Sequence, residues 1–370
     1  MNRVVPFTKI VATGNDFVLV DARINGIAGR KASWPALSKS LCERRRGIGA
    51  DGLLVLEHSK SADVRMRIFN PDGSEAQMCG NGARCAALYL KQATRGPSTA
   101  LGAGTRHATR RRRVSIETEA GIVGASVRGN RVALEMMQPK AIQPVVSLRL
   151  DDNRRLTLGY INTGVPHAVI PIQSHDLKAL DEVDVNVIGR AVRFHTRFAP
   201  DGTNVDFMQP DPRDSNLIRV RTYERGVEAE TLACGTGIVG SAILYALAKC
   251  ARTHNRVLSY NVLSKSRFPA AGPAAAPPFA HPRPGRQPSG QPGPAGGRMG
   301  LGSASPAAQG SFSTEQSYNI YVKAKSNDTL KVSFRIDRNT RPLRIMDVML
   351  EGPANIVFNG TAAWPAKGAR

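Results

Sequence analysis

The feature that most constrains the fold is a pair of short segments that look like copies of one another. The first runs from Glu75 to Gly82 (EAQMCGNG), and the second runs from Glu230 to Gly237 (ETLACGTG). Both have the pattern E-x-x-x-C-G-x-G, lie 155 positions apart, and lead into an apolar, Ala-rich stretch of helical character. The sequence therefore predicts a cysteine at a glycine turn before a helix, twice in one chain.

A second pattern repeats upstream of each cysteine. The segment Ala12–Val18 (ATGNDFV) resembles Asn162–Val169 (NTGVPHAV), and the Thr-Gly turn lies 66 residues before the first cysteine and 71 before the second. Since both patterns occur in the same order, we predict two homologous α/β lobes related by a pseudo-twofold axis.

Composition predicts two insertions between the patterned segments. Pro, Gly, Ala and Ser dominate residues 268–310, and such a segment cannot bury enough apolar surface to offset its ordering entropy. We therefore expect residues 251–316 to be disordered, and 95–112 to be a shorter insertion. Strand patterns occur at 18–21, 52–57, 64–69, 114–118, 132–136, 156–161, 205–208, 318–322, 330–336 and 345–350, and helices are predicted at about 34–44, 83–93, 176–188 and 237–250.

The strong positive charge is concentrated in those insertions. The 370 residues are 41% hydrophobic, which is typical of a globular protein, and carry a net charge of +22. Residues 95–113 hold six Arg and no acid, and residues 251–310 hold seven Lys or Arg and no acid. Because no aromatic-rich RNA-binding motif or zinc finger accompanies them, we interpret both as solvated basic loops and expect no specific nucleic-acid partner.

The cysteine content indicates free thiols. Five cysteines form an odd set, and the chain shows no secretory signal and no apolar run of membrane-spanning length. We therefore expect a cytoplasmic protein without disulfides. No Cys/His spacing matches a zinc site, so no metal is expected.

The two repeated cysteines have the setting of acid–base catalysts. A helix N-terminus brings partial positive charge and free N–H groups to a thiolate, and adjacent glycines let the backbone approach an anion closely. Cys79 and Cys234 could therefore remove and return a proton on opposite faces of one carbon, as a racemase or epimerase must. Cys42, Cys85 and Cys250 are interpreted as buried, inert residues.

Several loops add polar groups suited to an amino-acid zwitterion. Asn15, Asn70 and Asn204 adjoin strands, although asparagine is also a common turn former. Glu224 and Arg225 fit either the charges of a head group or a surface ion pair. The remaining alternatives are that Glu75 and Glu230 are exposed loop carboxylates, and that His167 is a satisfied loop histidine.

Seven short motifs occur along the chain: TGNDF (13–17), GIGADG (47–52), FNPDGSE (69–75), MCGNGARC (78–85), GTNVD (202–206), YERG (223–226) and ACGTG (233–237). Taken together, these motifs resemble the diaminopimelate epimerase family. The similarity covers about 1–94, 114–250 and 318–360.

The resemblance implies a cofactor-independent proton transfer that interconverts L,L- and meso-diaminopimelate, a step in lysine and peptidoglycan precursor synthesis. It implies that Cys79 is the thiolate base toward the L,L isomer and Cys234 the thiol acid. No cofactor is expected, and homodimers are usual in the family. The positions matching substrate contacts of the family are Asn15, Asn70, Gly80, Asn81, Asn204, Glu224, Arg225, Gly235 and Thr236.

The same resemblance implies two pseudosymmetric lobes, each with a curved, mostly antiparallel sheet around a central helix. We expect residues 1–126 to form the first lobe, together with a returning C-terminal strand at 352–360. Residues 127–351 are expected to form the second lobe.

Two positions depart from the family pattern, and two alternatives stay open. Val165 replaces an asparagine that is frequent before Pro-His, a loss for which Asn162 could compensate, and Gly52 stands where some members carry a glutamine. One alternative is a related racemase acting on histidine or proline derivatives, although Asn81 favours the diaminopimelate branch over the proline branch. The other is an anion- or RNA-binding protein that uses the basic insertions.

Overall fold

In the computed structural model, the chain is described at residues 4–24, 33–93, 113–174, 179–253, 315–340 and 343–363. The elements before residue 150 are β1 (Val4–Ala12), β2 (Asn15–Asp21), α1 (Trp34–Cys42), β3 (Gly52–Glu57), β4 (Val64–Phe69), β5 (Glu75–Ala76), α2 (Gly80–Ala93), β6 (Arg113–Thr118), β7 (Gly121–Arg128), β8 (Arg131–Glu135) and β9 (Lys140–Arg149).

The elements after residue 150 follow in the same order. They are β10 (Arg155–Asn162), β11 (Pro166–Pro171), α3 (Val185–Arg193), β12 (Asn204–Pro210), β13 (Leu217–Glu224), β14 (Ala229–Thr231), α4 (Gly235–Thr253), β15 (Glu315–Lys323), β16 (Thr329–Asp337), β17 (Arg344–Pro353) and β18 (Asn355–Ala363). Short 3₁₀ turns lie at Ile172–Ser174, Leu180–Glu182 and Thr196–Phe198.

Strand pairing repeats between the two halves. In the first half β2 runs parallel to β3 and β4 parallel to β6, whereas β1–β2, β3–β4, β6–β7 and β7–β8 are antiparallel. In the second half β11–β12 and β13–β15 are the parallel pairs, and β10–β11, β12–β13, β15–β16 and β16–β17 are antiparallel. The two halves are therefore pseudosymmetric copies with mostly antiparallel sheets, as the sequence predicts.

Each sheet curves around one central helix. Helix α2 contacts β1–β4, β6–β8 and β18, and α4 contacts β9–β13, β15 and β16. Apolar residues of both helices pack into the cores of their own lobes. Helices α1 and α3 pack on the outer sides of the two sheets, where they close a second apolar cluster in each lobe. The central helices also touch each other across the boundary between the lobes.

The lobes are joined by strands. β8 pairs with β17 across the middle of the molecule, β9 crosses to pair with β10, and β18 returns to pair with β1. Residue 126 lies inside β7, and Val127, Val132 and Leu134 pack in the core around α2. We therefore propose that the first lobe extends through β8, rather than ending at the expected residue 126.

The structure corrects the ends of two predicted segments. The predicted insertion 251–316 is too long at both ends, because α4 continues to Thr253 and β15 already pairs with β16 at Glu315. The rest of that segment, and residues 95–112, lie outside the described residues. The predicted helix 176–188 is also displaced, since α3 begins only after Asp184, whose side chain accepts a hydrogen bond from the Val187 N–H at 3.0 Å. Among the described residues, no helix has the length and apolarity to cross a membrane.

Candidate active site

Cys79 lies immediately before α2, at the start of the first central helix. Its carbonyl accepts the first helical hydrogen bond, from the Ala83 N–H at 2.9 Å. The Gly82 N–H lies 3.4 Å from Cys79 Sγ and points its hydrogen toward the sulfur. The free donors of the first helical turn therefore surround this thiol, as the motif predicts.

Cys234 has the matching place before α4. Its carbonyl accepts from the Ile238 N–H at 2.9 Å, and its Sγ lies 3.4 Å from the hydroxyl of Thr236. The side chain of Cys234 is buried, whereas Cys79 is half-buried. The two repeated cysteines thus share one backbone geometry in two different polar surroundings.

The second glycine of each motif is required by close packing. A Cβ on Gly82 would lie 2.9 Å from Leu54 Cδ2, and one on Gly237 would lie 2.2 Å from Asp206 Oδ1. By contrast, a Cβ on Gly80 would meet nothing within 4 Å. The first helical turn is therefore fixed against the sheet at its second glycine, while Gly80 borders open space.

The two lobes meet where the motifs lie. The β1–β2 turn at Gly14 packs against Leu232, two residues before Cys234, and against Ser326 in the β15–β16 turn. The carboxylate of Glu224, at the end of β13, raises the pKa of both Cys79 and Cys234. One carboxylate of the second lobe thus acts on both thiols, so both lie near it where the lobes meet.

Both thiols have a raised pKa. Burial raises the pKa of Cys79, against the N–H groups of Gly82 and Asn81 and the charge of Arg84, which lower it. Burial, Glu224 and Asp206 together raise the pKa of Cys234 well above its usual value. Burial also raises the pKa of Glu224, against the Thr231 side chain, which lowers it. The site therefore favours neutral thiols until a positive charge enters it.

A buried polar chain supports the second cysteine. His167 on β11 has Nδ1 at 2.7 Å from Asp206 Oδ2 and Nε2 at 2.9 Å from Thr236 Oγ1. Thr222 donates to the other oxygen of Asp206 at 2.6 Å, and Thr163 donates to the Thr236 carbonyl at 3.0 Å. His167 is therefore satisfied, but it lies in β11 and not in a loop, and its partners are Asp206 and the threonine of the Cys-Gly-Thr-Gly motif.

On the first lobe, the predicted substrate amides form a chain of their own. Asn81 Nδ2 donates to Asn15 Oδ1, and Asn15 Nδ2 donates to Asp51 Oδ2 at 3.1 Å. Arg44 bridges Asp51 and Asp16, and burial of Asp16 is outweighed by its bonds with Arg44 and Lys9, which lower its pKa to about 2. The structure thus brings Asn15 and Asn81 together beside Cys79.

Asn204 and the Glu224-Arg225 pair lie together in the second lobe. The Asn204 amide donates to the Pro166 carbonyl at 3.1 Å and accepts from the Arg225 N–H at 2.8 Å. The Arg225 guanidinium has no carboxylate partner within the part of the chain that the structure describes, so the predicted alternative of a Glu224–Arg225 surface ion pair is wrong. Its charge is available to an anionic group.

Asn70 and Asn162 have local roles in turns. Asn70 Nδ2 donates to Ser74 Oγ at 2.9 Å within the turn after β4. Asn162 Oδ1 accepts from the Gly164 N–H at 2.9 Å, which engages its carbonyl in the β10–β11 turn. The structure gives neither side chain a contact with a cysteine, so their predicted substrate contacts stay predictions.

The repeated glutamates are not free loop carboxylates. Glu75 on β5 forms a two-point ion pair with Arg67 on β4, with both distances at 2.7 Å. Glu230 on β14 pairs with Arg221 on β13 in the same way, at 2.7 and 2.9 Å. Because β5 and β14 are only two and three residues long, these pairs anchor the segments that carry the cysteines.

The three cysteines outside the repeated motifs are Cys42, Cys85 and Cys250. None of the five cysteines forms a disulfide. Burial raises the pKa of Cys42 and Cys85. Cys250 is only half-buried, so its predicted burial is wrong, and it lies 2.7 Å from the Tyr318 hydroxyl, far along α4 from Cys234. Within the described ranges, no three His, Cys, Asp or Glu side chains form a possible metal site, and the expected absence of a metal stays a prediction.

Sequence reasoning left out Asp206, His167, Thr13 and Arg84 as site residues. A signal for Asp206 exists, because residues i and i+2 of a strand share a face and Asn204 begins the same strand, β12. His167 stands opposite Asn204 in the β11–β12 register. Strand alternation around the predicted asparagine would therefore have brought Asp206 into the site, whereas His167 enters it only through the pairing of β11 with β12.

Comparison with known proteins agrees with this geometry. The model of the family described as diaminopimelate epimerase matches residues 7–142 and 159–260. The diaminopimelate epimerase of Aquifex aeolicus is 39% identical over 246 residues, covering 64% of this chain and 80% of that protein. That of Archaeoglobus fulgidus is 38% identical over 251 residues, covering 65% and 81%.

Solved structures share the fold at low identity. A probable proline racemase from Agrobacterium radiobacter superposes with a TM-score of 0.58 at 14% identity, covering 99% of this chain and 94% of that chain. A hydroxyproline epimerase from Agrobacterium vitis gives 0.57 at 14% identity, covering 99% and 95%. At this identity the likeness concerns the fold alone. The family match over both halves, and the two relatives that are 39% and 38% identical over the aligned residues, show that the chain belongs to the diaminopimelate epimerase family.

Proposed function

We propose that the chain interconverts L,L- and meso-diaminopimelate by a two-base proton transfer between Cys79 and Cys234. The observation that carries the proposal is the pair of matched cysteines, each at the start of a central helix and both acted on by the same Glu224 carboxylate. The relatives named diaminopimelate epimerase support the choice of substrate.

In the proposed reaction, the Cys79 thiolate removes the α-proton of the L,L isomer and becomes a thiol. The electron pair left on the carbon is stabilised by the adjacent carboxylate, and Cys234 delivers its own proton to the opposite face, becoming a thiolate. In the reverse direction the roles are exchanged. After each forward turnover Cys79 is therefore protonated and Cys234 is ionised. A proton must return to Cys234 and leave Cys79 before the next L,L molecule reacts.

The helix starts supply the stabilisation that this chemistry needs. Backbone N–H groups at Gly80-Asn81 and Gly235-Thr236 can hold the substrate carboxylate and oppose the charge that develops at the α-carbon. The substrate ammonium group also brings positive charge toward Glu224 and the thiols. This charge would offset the burial that raises the pKa of both cysteines.

The remaining polar groups fit the distant end of the substrate. Arg225 can pair with the second carboxylate, and Asn204, which holds the Arg225 backbone, sets the position of that charge. We propose the other predicted contacts, Asn15, Asn70, Asn81 and Asn162, as hydrogen-bonding partners of the two amino-acid groups.

A substrate panel tests the proposal. The reduced protein is incubated with L,L-diaminopimelate, L-proline or L-histidine, and the stereoisomers are separated by chiral chromatography. We expect meso-diaminopimelate to form, Cys79→Ala and Cys234→Ala to abolish it, and Cys42→Ala to retain it, because Cys42 is buried at the end of α1 in the outer apolar cluster of the first lobe. Racemisation of proline or histidine in preference to diaminopimelate would favour the related-racemase alternative.

The anion-binding alternative depends on segments that lie almost wholly outside the described residues. It predicts salt-sensitive retention on single-stranded RNA that a chain lacking 254–314 does not show. Retention of this kind, together with absent epimerisation, would overturn the proposed function.

We propose that the protein assembles as a homodimer through the edge of the first lobe. In the described residues β18 pairs only with β1, which leaves its other edge open, and Val357 and Phe358 on it are exposed. Phe358→Asp should convert a dimer into a monomer in analytical ultracentrifugation. A wild-type monomer at micromolar concentration would contradict this proposal.

We also propose a cytoplasmic location, on the ground that five free thiols are typical of a reducing compartment. Fractionation of cells followed by immunoblotting tests it, and recovery of the protein in a secreted fraction would contradict it.

A further inference from the structure

Arg84 is a fully buried positive charge with no carboxylate in hydrogen-bonding contact among the described residues. It lies on α2, one and a half turns after Cys79, and its side chain is 0% exposed. Nε and Nη1 have no hydrogen-bond partner in the part of the chain that the structure describes. A buried guanidinium with two unbonded nitrogens is costly, so its presence requires an explanation.

The third nitrogen of Arg84 bonds to two groups at the site. Nη2 donates to Asn81 Oδ1 and to Thr13 Oγ1, each at 2.5 Å. The strand β17 passes over the guanidinium at Gly352, where an added Cβ would lie 3.4 Å from Arg84 Cζ. The backbone of β17 therefore lies against the guanidinium and helps to hold it in this position.

These bonds give the chain of amides a fixed direction. Arginine can only donate, so Oδ1 of Asn81 must face it and Nδ2 must face Asn15. At the other end Asp51 is an acceptor, which fixes Nδ2 of Asn15 as the donor. The Nδ2 atoms of Asn81 and Asn15 each have a second hydrogen that these bonds do not use. Two N–H donors therefore remain for a substrate carboxylate, which can only accept.

Arg84 also holds a strained turn. Thr13 has φ of 51°, in the left-handed region that a β-branched residue rarely adopts. The matching residue of the second lobe, Thr163, has no positive φ and donates instead to the Thr236 carbonyl. The bond from Arg84 stabilises the Thr13 conformation, and Asn15 follows two residues later.

The positive charge of Arg84 gives the two thiols different electrostatic surroundings. Five positions after Cys234 the second lobe has Val239, in the place of Arg84. The charged and titratable groups that act on Cys79 are Arg84 on its own helix and Glu224 from β13, with opposite signs. Those acting on Cys234 are Glu224 and Asp206, both negative, beside the Thr236 hydroxyl. Burial lowers the pKa of Arg84 itself, against Cys85, Cys79 and Asp328 of the β15–β16 turn, which raise it.

We propose that Arg84 is a positioning residue that directs the first ionisation of the site to Cys79 and orients Asn81 and Asn15 as donors to the substrate. The proposal rests on the proposed function, because it makes Cys79 the resting base toward the L,L isomer. The charge of Arg84 accounts for which thiol ionises first, and its hydrogen bonds account for the orientation of the Asn81 and Asn15 amides.

Two substitutions separate the two effects. Arg84→Met removes both the charge and the hydrogen bonds, whereas Arg84→Lys keeps the charge but loses the planar group that reaches Asn81 and Thr13 together. Lys91→Met is the matched control, because it removes one positive charge from the same helix at the end distant from Cys79. Iodoacetamide alkylation of Cys79 and Cys234 is followed against pH by peptide mass spectrometry, without substrate, and KM for L,L-diaminopimelate is measured separately.

We expect Arg84→Met to move the alkylation midpoint of Cys79 upward by about one pH unit, which is a tenfold loss of thiolate at a fixed lower pH, and to leave Cys234 unchanged. Arg84→Lys should keep the Cys79 profile and raise KM several-fold. Lys91→Met should match the wild type in both measurements.

A Cys79 profile in Arg84→Met that superimposes on the wild type, or an equal shift of both cysteines, would overturn the proposal. If Arg84→Met does not fold by circular dichroism, Arg84→Lys decides, and an unchanged KM in that variant would overturn the orienting role. Because alkylation needs no substrate, a wild type that alkylates as expected but does not epimerise diaminopimelate would contradict the proposed function alone.

Discussion

Nε2 of His167 lies 2.9 Å from Oγ1 of Thr236, and that hydroxyl lies 3.4 Å from Sγ of Cys234. Asp206 holds the other ring nitrogen at 2.7 Å, and both Asp206 and His167 are fully buried. A hydroxyl group can donate to one of these neighbours and accept from the other. Thr236 is therefore the link between a buried histidine and the second candidate catalytic thiol.

We expect Thr236→Val, which keeps the shape and removes the hydroxyl, to lower kcat about tenfold, the effect of about one lost hydrogen bond. The Thr236 hydroxyl lowers the pKa of Cys234 against the larger effect of burial, so its loss should also move Cys234 alkylation to higher pH. Steady-state kinetics and peptide mass spectrometry measure the two effects.

Ser241→Ala is the control for that substitution. Ser241 lies on the same helix, and its buried hydroxyl has no partner among the described residues. It should retain wild-type kcat. Equal losses in Thr236→Val and Ser241→Ala would show that the effect comes from helix packing rather than from the bond to Cys234.

The second prediction concerns the ion pairs of the repeated glutamates. Glu75→Gln and Glu230→Gln each remove one charge from a two-point pair with arginine, so the short strand before each cysteine should loosen and kcat should fall. Glu230→Gln should lower Tm more, because the Glu230 side chain is 8% exposed against 24% for Glu75 and also bonds to Lys325.

Glu351→Gln breaks the Arg131–Glu351 pair between β8 and β17 and is the matched control. It should change Tm slightly, as partly exposed ion pairs do, and leave kcat unchanged. If all three variants lose kcat in proportion to Tm, the pairs of Glu75 and Glu230 have no specific role in placing the thiols.

The third prediction is a shift of the pH profile. Glu224 raises the pKa of both thiols, so replacing it by a neutral group lowers the pKa of both. The acid limb of kcat/KM, which follows formation of the first thiolate, should therefore move to lower pH in Glu224→Gln, by about half a unit to one unit.

Glu228→Gln provides the comparison, because Glu228 pairs with Arg193 and does not act on the thiols. Its profile should overlay the wild type. A Glu224→Gln acid limb at the wild-type pH, or at higher pH, would show that Glu224 does not set the ionisation of the cysteines.

The fourth prediction concerns Val165, which stands where the family frequently has an asparagine. Val165→Asn adds an amide in the β10–β11 turn, where Asn162 Oδ1 is already engaged by the Gly164 N–H. Since Asn162 is not free to compensate through that oxygen, we expect KM for L,L-diaminopimelate to fall several-fold, by about one hydrogen bond. An exposed valine on α3, Val187, provides the control Val187→Asn. An unchanged KM in Val165→Asn would show that this turn does not reach the substrate.

The parts of the fold set by local sequence were predictable. The strands Gly52–Glu57 and Val64–Phe69 have the predicted boundaries, since alternation and flanking turns define them. Helices α2 and α4 begin at the first glycine of each motif, three and two residues before the predicted starts. The displaced α3 had a usable local signal, the Asp184 side chain that caps it.

The parts set by distant contacts were not predictable from one sequence. The pairing of β8 with β17 joins strands more than 200 residues apart, and the sequence of neither strand predicts which strand it pairs with. The same holds for His167, whose partners lie 39 and 69 positions away, and for Arg84, whose bond to Thr13 spans 71 positions. The sequence indicated candidate catalytic and binding residues, and the topology decided which of them interact.

The most direct test of the two-thiol account is deuterium incorporation at low conversion. The reduced protein is incubated with L,L-diaminopimelate in D2O, and the meso product and the recovered L,L substrate are analysed separately by NMR and mass spectrometry. If Cys79 and Cys234 serve opposite faces, early meso product should carry one solvent deuterium at the inverted carbon, and recovered L,L substrate should carry almost none. Equal deuterium in product and recovered substrate at early times would contradict the account, because it would mean that one exchanging base serves both faces.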